Sequence, residues 1–307
     1  MSGSTIATPL VEKRKPQRST SRKMKSPYPS WFYVPAIALY LVFFALPTFA
    51  SFYFALTRWS LFNVTFIGFD NFIQFFQEPQ LYQSFINTLI YGFVTSAAKI
   101  VLGLALAMLL TSPIIGRGYL RAVVFFPVLV STIGIGLTFK SLMNPFHGLI
   151  NLVLSWFGLP GPGWLTDPNL ALLSVASVDI WKGVGIATLI FMAGIVAIPQ
   201  EYFEAARVDG AGSWKIFRSI TLPLSRPATG TVIILSLIGG LRSFDLIWAM
   251  TRGGPGFTSD VVASVIYKQY QAGFYGLSTA GNVVLFLVVT LIMVPITRML
   301  NRREVDL

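Results

Sequence analysis

Residues 85–111 read FINTLIYGFVTSAAKIVLGLALAMLLT, an apolar run whose one charged residue is Lys99. A helix needs about 20 mainly apolar residues to cross a bilayer, so this stretch predicts a membrane span. Five other stretches have the same character. They predict an all-α, polytopic membrane protein with about six transmembrane helices, at residues 32–56, 85–111, 119–141, 171–197, 226–250 and 278–300.

The composition agrees with a bilayer environment. The 307 residues are 54% hydrophobic and 11% charged, with a mean hydropathy of +0.68, whereas a soluble domain carries about 25% charged residues. The sequence shows no strand alternation strong enough for a β domain. Cysteine is absent and His147 is the single histidine. These counts exclude a thiolate or histidine-based metal site and a cysteine nucleophile.

Two predicted spans contain helix breakers. Pro127, Gly134 and Gly136 lie within residues 119–141, and the pair Gly239–Gly240 lies within residues 226–250. Membrane helices tolerate such residues where neighbouring helices satisfy the freed backbone groups. Each stretch is therefore expected to form one span.

Lysine and arginine are unequally distributed between the two sides of the predicted bundle. Residues 1–27 hold seven of them, which is typical of a basic, disordered cytoplasmic tail. With that tail inside, sixteen basic residues lie on the inner side and four on the outer side. The positive-inside rule then places both termini in the cytoplasm, with residues 28–307 as the transmembrane domain. The same distribution argues against a nucleic-acid partner, despite the net charge of +11.

Two aromatic segments outside the predicted spans have a different character. Residues 69–77 and 259–275 are predicted to form short amphipathic helices on the outer surface. Between the last two spans, residues 253–256 form a glycine-rich cluster that predicts a turn. No Lys-Ser or Lys-Thr follows it, so it is not a phosphate-binding loop.

The predicted inner loop 199–224 reads PQEYFEAARVDGAGSWKIFRSITLPL. Pro199 favours the start of a helix, and Asp209–Gly210 predicts its end in a left-handed turn. Ser213 and Pro223 are predicted to cap and to stop a second helix. The loop also offers apolar anchors for a protein contact or for lipid, namely Tyr202, Phe203, Trp214, Ile216 and Phe217.

This loop resembles the EAA loop of ATP-binding-cassette importer permeases. That family pattern is EAA, three residues, G, nine residues, I, one residue and LP. The stretches RAVVFFPVLVSTIGIGLTFKSLMN, SFDLIWAMTRGGPG and FIGFDNFIQFF also resemble the carbohydrate-uptake branch of the family, and the resemblance covers roughly residues 30–300. The residues that match the EAA pattern, with one aspartate beside them, are the implied ATPase-coupling residues: Glu204, Ala205, Ala206, Asp209, Gly210, Ile220, Leu222 and Pro223.

The resemblance implies a permease subunit that is not itself an enzyme and binds no cofactor. Two separate ATPase subunits would hold ATP and Mg. The further implied partners are a second, non-identical permease subunit, an extracytoplasmic solute-binding protein that can dock at the glycine-rich cluster, and membrane lipid. The implied location is the cell membrane of a prokaryote. A sugar is the favoured solute, with glycerol 3-phosphate or another polar solute as the alternative.

Charged residues within the predicted spans are candidates for a solute path, because such groups usually face a partner or a wet cavity. Asp179 and Lys182 are expected to share a helix face, as are Arg242 and Asp245. The two pairs can line one cavity about 12 Å below the outer surface, or can neutralise themselves and brace the bundle. Lys99 is expected to pair with a partner subunit or to extend to the surface. The candidate substrate-path residues are Asp179, Trp181, Lys182, Ser236, Gly240, Arg242, Ser243 and Asp245.

Two other function classes compete with an ATP-driven importer. An ion-coupled secondary transporter or channel would leave the EAA spacing as a coincidence. A membrane enzyme would need convergent acids, a nucleophile with a base, or a metal site. The cluster of Glu201, Glu204 and Asp209 is explained by the loop without such chemistry.

Overall fold

The computed structural model describes residues 30–60 and 62–301, so the predicted tail 1–27 lies outside the described residues. The described residues divide into two compact units, one that ends at Pro47 and one that begins at Thr48. Most described residues are helical. The helices are α1 (Trp31–Ala55), α2 (Asp70–Gln77), α3 (Pro79–Thr111), α4 (Arg117–Leu129), α5 (Thr132–Leu142), α6 (Leu149–Trp156), α7 (Ala171–Val196), α8 (Gln200–Val208), α9 (Ser213–Leu224), α10 (Arg226–Leu241), α11 (Asp245–Met250), α12 (Val262–Gln271) and α13 (Tyr275–Asn301).

Within residues 30–60 and 62–301, four helices, α1, α3, α7 and α13, are long and apolar enough to cross a membrane. Two bent pairs, α4 with α5 and α9 with α10, raise the number of candidate spans to six if each pair counts as one. The side chains of residues 31–44 are exposed. Because these residues are mainly apolar, lipid or another protein is the medium that suits them.

The predicted third span, residues 119–141, is interrupted. The backbone is extended at Val130 and Ser131, and α4 and α5 meet there at a bend of 100°. Pro127 lies in the last turn of α4 and cannot donate a backbone hydrogen bond. The stretch is therefore a broken span or a re-entrant segment.

The predicted fifth span, residues 226–250, is also interrupted. Helix α10 ends at Leu241, and α11 begins only at Asp245. The expectation that Arg242 and Asp245 share a helix face is therefore wrong, since Arg242 lies in the break. The chain also bends just before this stretch, where α9 and α10 meet at 68°.

Helices α3, α7 and α10 pack against one another at the centre of the second unit. Small residues permit this close approach. A Cβ added at Gly103 would lie 2.7 Å from Cβ of Ala187, and one added at Gly240 would lie 2.9 Å from Cα of Gly92. Bulkier side chains at Gly103 and Gly240 would push α3 away from α7 and α10, respectively.

The segment after α1 contains a short antiparallel hairpin of β1 (Thr57–Trp59) and β2 (Val64–Phe66). The sequence analysis did not predict it, because three-residue strands show too little alternation to be detected. The predicted helices near residues 69–77 and 259–275 are present as α2 and α12. Both pack on α13, and the side-chain amide of Asn71 in α2 bonds the carbonyl of Thr57 at 2.8 Å.

Candidate coupling and translocation sites

The predicted turn in loop 199–224 is present. Helix α8 ends at Val208, and Gly210 adopts a left-handed conformation with φ of +74°. The amide of Gly210 bonds the carbonyl of Arg207 at 3.0 Å, and the amide of Ala211 bonds that of Ala206 at 2.9 Å. These two bonds form a Schellman motif, which satisfies the last carbonyls of the helix.

The second helix of the loop differs in detail from the prediction. Gly212 occupies the N-cap, and Ser213 is the first helical residue with no side-chain cap. The helix contains a π turn at Phe217–Thr221, which includes Ile220. Pro223 does not stop the helix, which continues to Leu224 before the chain turns at the buried Ser225.

The predicted coupling residues do not lie in one environment. Glu204, Ala205, Asp209 and Gly210 are exposed at the end of α8, whereas Ala206, Ile220 and Pro223 are half-buried and Leu222 is 39% exposed. The first half of the EAA pattern therefore forms a surface, and the second half packs partly inward.

The apolar side chains of the loop divide in the same way. Val208, Trp214 and Tyr202 are 88%, 71% and 50% exposed. Phe203, Ile216 and Phe217 instead line a cavity of about 480 Å³ between the loop and the C-terminal end of α3. Of the five predicted anchors, only Tyr202 and Trp214 lie on the surface.

A second cavity, of about 330 Å³, lies between α3, α7 and α10. Nζ of Lys99 lies 2.7 Å from Oδ2 of Asp179 in its wall, and their side chains are 9% and 21% exposed. The expectation that Lys99 pairs with a partner subunit or extends to the surface is therefore wrong. The expectation that Asp179 neutralises Lys182 is wrong as well, because Asp179 pairs across to another helix.

The structure brings together three of the predicted substrate-path residues. Asp179, Lys182 and Ser236 line the 330 Å³ cavity, together with Lys99 and Thr132. Lys182 forms no ion pair within residues 30–60 and 62–301. The cavity thus holds a neutralised pair and one additional cation.

Four of the other predicted substrate-path residues lie elsewhere. The Trp181 ring is 5.2 Å from that of Phe139 and lines a different cavity beside Pro127. Gly240 packs against α3, while Arg242 and Asp245 are exposed at the break between α10 and α11. The two charged pairs therefore do not line one cavity.

A buried polar face along α3 was missed by the sequence analysis. Its members recur every three or four residues, which places them on one side of the helix: Ser84, Thr88, Tyr91, Thr95 and Lys99. The hydroxyl of Tyr91 lies near Asp179 and Ser243 without a well-formed hydrogen bond to either. That spacing was the available signal, since polar residues of a membrane helix face the interior of the bundle.

Residues 99–305 match the family described as binding-protein-dependent transport system inner membrane component. The chain belongs to this family. The match spans two thirds of the chain and includes loop 199–224, the residues that line the 330 Å³ cavity and most of the final helix. The resemblance to permeases of ATP-binding-cassette importers is thereby confirmed, and such permeases are membrane components rather than enzymes.

Relatives of the permease have names that refer to sugars. It is 35% identical over 258 residues to the trehalose/maltose transport system permease protein MalF of Thermococcus litoralis, covering 83% of this chain and 88% of that one. It is 29% identical over 301 residues to the multiple sugar-binding transport system permease protein MsmF of Streptococcus mutans, covering 93% and 100%.

The fold of the permease is also similar to that of solved transporters. A chain of a bacterial ABC transporter involved in the import of the acidic polysaccharide alginate superposes with a TM-score of 0.80 at 26% identity, covering 88% of this chain and 94% of that one. A chain of the MetNI methionine transporter superposes with a TM-score of 0.54 at 20% identity, covering 73% and 96%, a likeness of fold alone.

Proposed function

We propose that this permease forms the translocation path for a sugar or a sugar-like solute and receives its driving force through loop 199–224. In this proposal, two separate ATPase subunits hold ATP and Mg and contact the exposed part of the loop. Both termini and the loop lie in the cytoplasm, and residues 28–307 form the multi-pass domain behind the basic tail 1–27. The location is the cell membrane of a prokaryote.

The observation that carries the coupling role is the exposed end of α8. Glu204 and Ala205 are exposed there, as are Tyr202 and Val208 of the same helix and Trp214 of α9. A charged and apolar patch outside the spanning helices suits a protein partner, and two alanines let a groove approach the helix closely. The Schellman turn at Gly210 holds α8 and α9 in a fixed relation, so force applied to α8 reaches α9 and then α10.

The proposed partners complete this arrangement. A second, non-identical permease subunit would cover the exposed side of the 330 Å³ cavity. An extracytoplasmic binding protein would deliver the solute. The similar alginate transporter has been solved in complex with an alginate pentasaccharide-bound periplasmic protein, which supports this partner.

The names of the relatives and the polar lining of the cavity support a sugar as the solute. Ser236, Thr132 and Lys182 provide hydrogen-bonding groups on a wall that is otherwise largely apolar. A sugar presents hydroxyls and an apolar ring face, and such a lining suits both.

The additional cation, Lys182, favours a second candidate, an anionic solute such as glycerol 3-phosphate. A charge at membrane depth costs at least about 2.5–3.5 kcal/mol, and an anionic group would offset that cost. Stabilisation of the purified transporter by glycerol 3-phosphate but not by glycerol, abolished in Lys182→Gln, would favour this candidate. Stabilisation by maltotriose that Lys182→Gln leaves unchanged would favour a neutral sugar.

Cross-linking from α8 tests the coupling role. The chain has no cysteine, so Ala205→Cys provides one reactive thiol in it for a photoactivatable cross-linker. We expect capture of an ATP-hydrolysing subunit in native membranes. Trp156→Cys is the control, because Trp156 is exposed at the end of α6, far along the chain from the loop. Capture of lipid alone from Ala205→Cys would contradict the proposal.

A further inference from the structure

The loop between α11 and α12, residues 251–261, is called the outer loop here, and it is held in one shape by its own side chains. The carboxylate of Asp260 is fully buried. It accepts hydrogen bonds from the hydroxyl of Ser264 at 2.7 Å and from the ammonium of Lys268 at 2.6 Å. Gly253 has a φ of +87°, and a Cβ there would overlap that carboxylate. Since only glycine fits both the backbone angle and the space, the loop is built around Asp260.

Two neighbouring residues of α3 bond to the chain here, Asn87 to the outer loop and Thr88 to Val262, the first residue of α12. The side-chain amide of Asn87 donates to the carbonyl of Thr258 at 3.0 Å and to that of Asp260 at 2.8 Å. The hydroxyl of Thr88 accepts from the amide of Val262 at 2.9 Å. Asn87 and Thr88 are both buried. Loss of the Asn87 amide would leave the buried carbonyl of Asp260 and the half-buried carbonyl of Thr258 without this donor.

Helix α3 continues without a break from this attachment to the 330 Å³ cavity. Lys99 lies twelve residues after Asn87 on the same helix, about 18 Å along the axis. The outer loop and the Lys99–Asp179 pair are therefore joined through one rigid element. By contrast, the covalent connection of the outer loop to α10 passes through the non-helical residues 242–244.

We propose that Asn87 is a positioning residue that fixes the outer loop to α3, so that the loop and the cavity wall move as one unit during transport. This inference rests on the proposed function and adds to it that the outer loop faces the solute-binding protein. A displacement of α3 at the cavity then shifts the outer loop, and a contact at the outer loop biases α3 by the same free energy.

Distances between spin labels in the assembled transporter test whether the outer loop and α3 move together. Phe257 in the outer loop and Tyr82 on α3 are both exposed, and each is replaced by cysteine for labelling. The cysteines of the partner subunits are removed by substitution. We expect the same narrow distance distribution without nucleotide and after trapping with ATP and vanadate. In Asn87→Leu, which keeps the branching at Cγ but not the amide, we expect a broader distribution that differs between the two conditions.

A second label pair separates positioning from general destabilisation. Spin labels on Tyr82→Cys and Leu235→Cys report the distance between α3 and α10. We expect Asn87→Leu to leave this distance distribution as narrow as in the parent. The matched control is Asn282→Leu, because that amide makes one long bond within its own helix, at 3.5 Å. It is expected to keep both distributions narrow. If Asn87→Leu does not assemble, Thr88→Val replaces it, with the same expected results.

Three outcomes would overturn the inference. They are a loop-to-α3 distance that changes with nucleotide in the otherwise unchanged chain, an Asn87→Leu distribution as narrow as that of the parent, and equal broadening of both label pairs. The measurement without nucleotide needs no ATP-hydrolysing partner. If the proposed function is wrong, Ala205→Cys captures no ATP-hydrolysing subunit. This result differs from the three spin-label outcomes, so failure of the inference and failure of the proposed function are distinguishable.

Discussion

The ammonium of Lys99 lies 2.7 Å from Oδ2 of Asp179 and joins α3 to α7 across 80 positions of sequence. Gly183 makes room for this contact, since a Cβ there would lie 2.6 Å from Cε of Lys99. The pair neutralises two charges at membrane depth and leaves Lys182 as the remaining cation of the cavity. The sequence suggested that Asp179 pairs with Lys182 on the same helix, whereas in the structure Asp179 pairs with Lys99 on another helix.

Removal of one partner of this pair is expected to destabilise the protein strongly. Lys99→Met leaves a partly buried carboxylate without its cation, which costs about 3–5 kcal/mol for a buried pair. The double variant Lys99→Met/Asp179→Leu removes both charges and should recover most of that loss. Thermal unfolding of the purified transporter measures both effects, and additive losses in the double variant would contradict an ion pair in the assembled protein.

The turn at Gly210 is expected to be intolerant of a β-branched residue. Gly210→Val forces such a side chain into the left-handed region, where an ordinary residue costs about 1–2 kcal/mol. We expect the variant to insert into the membrane but to lose uptake, because α8 and α9 no longer keep their relation. Gly212→Ala is the control, since Gly212 has a negative φ and open space around it. Normal uptake by a well-expressed Gly210→Val would count against the loop as the coupling element.

Reversal of charge on the exposed face of α8 is expected to uncouple transport from ATP hydrolysis. Glu204→Lys changes an exposed residue whose side chain forms no ion pair within residues 30–60 and 62–301, so insertion should be normal. The ratio of solute taken up to ATP hydrolysed should fall. Glu201→Lys is the comparison, because Glu201 is exposed on the same helix but lies outside the EAA pattern. Equal effects of the two substitutions would indicate a general charge effect instead.

Gly240 is expected to serve packing rather than solute contact. Gly240→Val places atoms against Cα of Gly92 and Oγ1 of Thr95, and such overpacking costs about 1–3 kcal/mol. Gly239→Val has open space at the first added atom and should be tolerated far better. Unfolding temperature and solute affinity should be measured for both. A Gly240→Val variant with normal stability but altered solute affinity would indicate that Gly240 does contact the solute.

Much of the fold follows from local sequence. The apolar run of residues 85–111 is long enough to span a bilayer and lies within one uninterrupted helix, Pro79–Thr111. Asp209–Gly210 predicted a left-handed helix end, and the φ of Gly210 agrees. Both are properties of a short segment and of the solvent around it, which is why the sequence alone determined them.

Tertiary structure decided the features that depend on distant partners. Pro127 and the pair Gly239–Gly240 marked the two interrupted stretches in the sequence, but packing against neighbouring helices decides whether a helix continues past such residues or bends. Asp179 had Lys182 within one turn, yet it pairs with Lys99 on another helix. Sequence spacing shows which charges can meet along one helix, but only the packing of α3 against α7 selects which of them do.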